Sequence, residues 1–277
     1  MDAQLRRLLF IDALGIGPEW VLRNDAHART ANTKPAQLID LMDKEETSAV
    51  AVIQAPTLRG ATQEAQAKQP EHATSLQEKT WQLLGLPSKN EALADMDWSY
   101  LEQTVAACQL CQLSQTRTQT VFGSGTQQAE LMIIGEAPGE QEDKTGQPFV
   151  GPAGKLLDNM LLAIGLTRAQ HVYIANVLKC RPPGNRDPNP DEIAHCSAYL
   201  RRQVALIQPK VILLLGRFSA QTLLETTITI GKLRGQIHHY QDVPAVVTYH
   251  PAYLLRSPAE KAKTWADLNM VRTLLNN

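Results

Sequence analysis

Four cysteines are the residues of this chain whose type and spacing speak most directly of chemistry. Cys108 and Cys111 form a C-x-x-C pair; Cys180 and Cys196 follow, with fifteen residues between them. A C-x-x-C pair lets two thiolates of one loop grip one metal centre. Four thiolates with no spare cysteine suit an iron–sulfur cluster or a structural zinc ion, and sulfur ligation alone does not separate the two. The second chemical stretch is residues 131–161, LMIIGEAPGEQEDKTGQPFVGPAGKLLDNML. It carries Glu136, Glu142 and Asp143 on a long loop with one aromatic, Phe149, and three prolines that stiffen it, Pro138, Pro148 and Pro152. Two further polar residues stand at the ends of apolar runs, Asn176 and His250.

These residues need elements to hold them. Short apolar runs at 131–134, 172–177, 211–215 and 243–249 read as buried strands. Helical spacing marks 98–107, a segment starting near 154, 190–207, 218–224 and 258–275. Strands alternating with helices predict a parallel sheet with right-handed crossovers. The expected architecture is α/β, three layers (α/β/α) around a central four-stranded parallel sheet. In such a sheet, Gly135-Glu136, residues 176–181, Gly216-Arg217 and His250-Pro251 all lie just beyond strand ends. They therefore meet along one carboxyl edge, where open α/β sheets bind ligands.

The chain before this region has a different texture. Residues 5–22 predict a short amphipathic helix; residues 24–75, rich in Ala, Gln, Thr, Lys and Glu, predict a disordered linker. One more short helix is expected within 76–95. The organisation expected is an N-terminal extension, 1–95, and one domain, 96–277. The first helix is either a cap on that domain or a tethered segment that binds a repair or replication protein. The first 95 residues carry 10 Lys/Arg against 13 Asp/Glu and the remainder 17 against 15, so no strong basic signature announces nucleic acid. No apolar run approaches a membrane span and no cleavable leader is visible, so a cytoplasmic monomer without a membrane partner is expected. In that reducing setting, four cysteines suggest metal more than disulfides.

Taken in order, these motifs resemble the family 4 uracil-DNA glycosylases, the iron–sulfur members of the uracil-DNA glycosylase superfamily. The resemblance covers roughly residues 100–275. It rests on the Cys108-x-x-Cys111 pair, VFGSG at 121–125, GEAPGEQEDKTGQPFVGPAG at 135–154, NVLKCRPPGNRDP at 176–188, Cys196, and TYHPAYLLR at 248–256. Where other superfamily loops carry an aspartate two residues after the opening glycine, this chain has Ala137. The basic, His-containing insert of a covalently trapping relative is absent, because residues 144–147 run straight into Pro148-Phe149.

The resemblance implies a DNA repair glycosylase that hydrolyses the N-glycosidic bond of uracil in DNA and leaves an abasic site. It implies a 4Fe–4S cluster on Cys108, Cys111, Cys180 and Cys196, with zinc as the runner-up. Phe149 would stack on the flipped base and Asn176 would bond its edge. His250 would lie by O2. The Glu136 to Gly139 turn, through Ala137 and Gly139, would hold the base by its backbone. Glu136 would position water or face the sugar cation, with Glu142 and Asp143 as substitutes. Leu254 or Leu255 would be the wedge that fills the vacated stack. Lys179, Arg181, Arg186, Lys232, Arg234 and Arg256 would reach phosphates. The competing reading is an iron–sulfur or zinc nucleic-acid-binding protein of the same fold with weak or lost chemistry.

Overall fold

Successive residues of a strand point to opposite sides, and this alternation divides the core. The computed structural model describes residues 93–276. In strand β2 (Leu131–Gly135), Leu131 and Ile133 join one apolar cluster while Met132 and Ile134 join another. The first cluster packs helix α4 (Pro152–Ala163) and helix α9 (Lys261–Leu275) through Leu156, Leu157, Met160, Leu268 and Val271. The second packs helix α5 (Pro190–Ile207) and helix α6 (Arg217–Leu223) through Leu200, Val204, Ile207, Ala220 and Leu223. Helices therefore cover both faces, as expected of three layers.

The sheet holds six strands among the described residues, in the order β1-β3-β2-β4-β6-β5. The four predicted strands, β2, β3 (Val172–Asn176), β4 (Val211–Leu215) and β6 (Val243–Thr248), pair in parallel as its centre. Two antiparallel edge strands extend the predicted four: β1 (Ser124–Gly125) on β3, and β5 (Ile237–Tyr240) on β6. The β5–β6 hairpin turns on Gln241 and Asp242, at φ 49° and 65°. Two positive φ values in a two-residue loop make a type I′ turn, whose usual Asn-Gly or Asp-Gly marker is missing here. His238 and His239 lie on this edge strand and do not line the cleft described below.

The remaining helices are α1 (Trp98–Ala106), α2 (Leu113–Thr116), α3 (Glu140–Thr145), α7 (Ile230–Leu233) and α8 (Pro251–Arg256). Helix α3 lies within the stretch expected to be loop. Helix α5 opens with a capping box: the Asn189 side chain takes an N3 backbone bond, and Glu192 accepts the Asn189 N–H at 2.9 Å. Packing reaches three residues before the expected domain boundary, because Leu93 is buried against Leu101, Val105, Phe122 and Tyr199. The expected helices within 5–22 and 76–95, the linker at 24–75 and the partner-binding segment at 1–22 lie, but for residues 93–95, outside the described residues.

Candidate active site

Parallel register brings the ends of β2 and β3 side by side, with Gly135 opposite Asn176, and the end of β6 stands on the same edge beyond β4. A cleft of about 470 Å³ opens at this edge, and Glu136, Ala137, Gly139, Phe149, Asn176, His250 and Arg256 all line it. Sequence separations of more than a hundred residues thus collapse into one cavity.

Two clamps shape the loop after β2. Glu142 Oε1 accepts the N–H groups of Val150 (2.9 Å) and Gly151 (3.2 Å), which pins the entry to α4. Asp143 is buried, and its two oxygens accept the Thr118 N–H at 3.0 and 3.1 Å. Both acids were expected as stand-ins for water activation. Asp143 is spent on the backbone and does not line the cleft; Glu142 lines it but gives one oxygen to the loop.

The floor is built by Asn176, Phe149 and Gly135. Asn176 is buried, and its Oδ1 has no hydrogen-bond partner. An orphaned buried acceptor costs roughly 1–3 kcal/mol and is retained where a ligand donor meets it. A Cβ on Gly135 would stand 2.3 Å from that oxygen and 2.8 Å from Phe149 Cζ, so glycine is what lets both side chains close over the strand end. The Phe149 ring lies near the His250 imidazole, centroids 5.5 Å apart and planes 30° from parallel.

His250 caps α8, and its Nδ1 accepts the Ala252 N–H at 3.2 Å. The proton of the neutral ring therefore sits on Nε2, which becomes a donor. Burial, reinforced by the Arg256 charge and opposed by Glu142, lowers the His250 pKa to about 4. The ring is neutral at physiological pH. Glu136 moves the other way: burial and then the charge of Asp187 push it up to about 7, with Arg217 opposing. Asp187 and Arg217 form an ion pair at 3.2 Å. A carboxyl poised near 7 can hold or release a proton, as general acid–base work requires. An aromatic face, an amide acceptor, an imidazole donor and a tuned carboxyl together suit a flat heterocycle with N–H beside carbonyl oxygens.

Other predicted residues stand elsewhere. Leu254 is fully buried in the core and cannot enter a base stack; Tyr253 and Leu255, its neighbours on α8, are 37% and 45% exposed, and Tyr253 lines the cleft. Lys179 is buried, donating to Phe122 O, Asn176 O and Gln203 Oε1, so it cannot reach a phosphate. Arg234 is likewise taken inside by Asp267 at 2.6 Å. Arg181 does not line the cleft; its Nε donates to Asn185 Oδ1 at 2.8 Å. Arg186 lines it while paired to Glu192. Lys232 borders a separate surface hollow.

The four thiols gather behind the loop after β3. Cys180 and Cys196 are buried in one small cluster with Cys111 packed against it. Burial raises the thiols of Cys180, Cys111 and Cys196, the last to about 12; in addition Cys111 feels the charge of Cys108, Cys180 that of Cys111 and Cys108, and Cys196 that of Cys180 and Cys111. N–H donors point at the sulfurs: Arg117 Nη1 reaches Cys180 Sγ at 3.0 Å, and the Lys179 and Leu113 backbones serve Cys196 and Cys111. Four thiols ringed by donors fit a thiolate-held group, which would supply the charge compensation that burial otherwise denies. Among the described residues no three His, Cys, Asp or Glu side chains are close enough together to hold a metal ion. Zinc thiolates sit about 2.3 Å from the ion; a multi-iron cluster occupies more room and holds its cysteines farther apart. Four thiolates of this kind are open to an iron–sulfur cluster or to a zinc ion.

A family model for the uracil DNA glycosylase superfamily matches residues 122–269. A type-4 uracil-DNA glycosylase of Archaeoglobus fulgidus is 45% identical over 179 residues, which cover 61% of this chain and 89% of that protein. Type-4 uracil-DNA glycosylases of Sulfurisphaera tokodaii and Saccharolobus solfataricus are 46% and 43% identical, with 83% and 84% of their lengths covered. The chain belongs to the uracil-DNA glycosylase superfamily and, within it, to the type-4 enzymes.

Proposed function

We propose that this protein is a DNA repair glycosylase that hydrolyses the bond between uracil and deoxyribose in DNA. The observation that carries the reading at the level of the site is the orphaned Oδ1 of Asn176. Uracil presents an N3–H there; cytosine presents a lone pair. The amide can also donate through Nδ2 to O4, so one side chain reads two atoms of the uracil edge.

Excision needs the base out of the stack and in a pocket. Phe149 offers the face on which the extruded ring rests. As the glycosidic bond lengthens, charge gathers on uracil O2 and the sugar becomes cationic. The Nε2–H of neutral His250 donates to that oxygen, and a preorganised donor in a dry site is worth the most. Backbone N–H groups of Ala137 and Gly139 hold the base from the loop side. The Glu136 carboxylate faces the sugar cation and orients the water, a role left to it because Ala137 has no acid. Among the described residues no lysine lines the cleft. The reaction we propose is monofunctional, with water as the nucleophile and an abasic site as the product. Tyr253, which lines the cleft, takes the wedge role expected of Leu254 or Leu255, and Arg256 meets the phosphate beside it.

Cys108, Cys111, Cys180 and Cys196 would hold a 4Fe–4S cluster. When bound, it serves as a brace that ties the end of α1 and the turn after it to the Cys180 loop and α5. The catalytic domain is residues 96–277, with residues 1–95 as an N-terminal extension. Among the described residues no helix is long and apolar enough to cross a membrane; action as a cytoplasmic monomer completes the proposal. The test is a labelled oligonucleotide with one uracil, incubated with enzyme and cleaved with alkali, beside the same strand carrying cytosine. Cleavage at uracil alone is expected. An intact uracil strand at high enzyme excess would instead favour a binding protein of this fold with lost chemistry.

A further inference from the structure

Phe149 holds φ 56°, a left-handed conformation that a bulky side chain avoids. Something outside the residue must keep it there. Two features do. The first is room: a Cβ on Gly154 would lie 1.7 Å from the Phe149 carbonyl oxygen, so that carbonyl is pressed onto the first turn of α4 where only glycine leaves space. The second is Arg168, in the turn that follows α4. Its Nη1 donates to the Pro148 carbonyl at 2.8 Å and its Nη2 to the Phe149 carbonyl at 3.0 Å. Its Nε donates to Asp158 Oδ1 at 3.0 Å, and that oxygen also stands 2.9 Å from Nη2. Asp158 lies on α4, so the guanidinium is aimed from the same rigid element that Gly154 opens.

We infer that Arg168, oriented by Asp158, is a positioning residue that locks Phe149 in its stacking pose and thereby sets affinity for the extruded base. The inference rests on the reading of the cleft as a uracil slot. Arg168 does not line that cleft, so any effect on base binding must travel through Phe149. A planar fork can serve two successive carbonyls at once; an ammonium cannot. Asp158 and Arg168 are partly exposed, and exposed ion pairs add little to stability. The geometry thus serves the loop's conformation more than the fold's stability. Without the fork, Phe149 is free to relax to negative φ, which swings its ring away from Gly135 and His250.

The test uses free uracil as an inhibitor of excision by the full chain, with the inhibition constant as the readout. Arg168→Ala and Arg168→Lys should each weaken uracil about tenfold, a fraction of what base–aromatic stacking is worth. Asp158→Asn should weaken it about threefold through the same contact. The decisive comparison is made in a Phe149→Ala background, where Arg168→Ala should change uracil affinity less than about twofold, since coupled residues are not additive. Melting temperature and visible absorbance of Arg168→Ala, Arg168→Lys and Asp158→Asn should match those of the background each is made in. Should Arg168→Ala fail to fold, Arg168→Lys and Asp158→Asn carry the same comparison. Equal losses in both backgrounds, or unchanged affinity in all three variants while wild type excises and binds uracil, would overturn the inference alone. A wild-type protein that neither excises nor binds uracil would overturn the underlying reading as well.

Discussion

Replacing Gly135 by alanine adds one methyl group at the point where the cleft floor is tightest. That methyl would stand 2.3 Å from Asn176 Oδ1 and 2.8 Å from Phe149 Cζ, against ordinary contact at 3.4 Å and beyond. Asn176 must retreat by about 1 Å and Phe149 by about half that, a displacement that can cost on the order of 10² in rate. The strand itself tolerates alanine, because Gly135 does not need positive φ and its carbonyl still accepts the Val177 N–H at 3.0 Å. Overpacking should lower stability by about 1–3 kcal/mol. Single-turnover excision on a uracil oligonucleotide, run beside a thermal melt, separates the two effects. A folded Gly135→Ala protein that excises within about twofold of wild type would show that the positions of Asn176 and Phe149 do not set the rate, and would refute the reasoning.

Further expectations follow from the same geometry. Because Glu136 is pushed up to about 7 from 4.5, its stabilising contribution is present below 4.5 and lost as pH rises through 7, while the reactive carboxylate appears over that same rise. Asp187→Asn removes a charge that raises Glu136 and releases Arg217, so the acid limb of kcat/KM should move to lower pH by on the order of one unit; a limb that stays put would contradict the assignment. His250, lowered to about 4 from 6.5, contributes stability above 6.5 that is lost as pH falls through 4. Cys180→Ser should abolish visible absorbance near 400 nm and lower the melting temperature, and retention of both would remove the brace from the account. Leu254→Ala should cost about 2–5 kcal/mol of stability as a core truncation. Tyr253→Ala should leave the melt unchanged but slow excision from duplex about tenfold while sparing single strands, where no stack needs refilling.

The four central strands were legible because each is a short apolar run with both faces buried, a pattern that survives without tertiary information. Their carboxyl ends then placed Glu136, Asn176 and His250 together by topology alone. The rest was decided by contacts that sequence does not display. Edge strand β5 was hidden because Gln241-Asp242 makes a hairpin turn without glycine. Glu142 and Asp143 looked like chemistry because they are acids in a loop, yet they accept backbone N–H groups, of Val150 and Gly151 for Glu142 and of Thr118 for Asp143. The six residues of α8 are too few to reveal which face is buried, so the wedge expectation fell on Leu254, which lies in the core, as well as on the exposed Leu255. Lys179 read as a surface cation because nothing local announces its three internal acceptors. Arg168 carried no signal at all: a lone arginine after a helix acquires meaning only from the strained carbonyl it meets.

The most direct measurement is a crystal structure of the protein with free uracil bound. The account predicts the ring against Phe149, its N3–H on Asn176 Oδ1 and its O2 on His250 Nε2. Uracil bound elsewhere, or bound here with its N3–H turned away from Asn176, would contradict it.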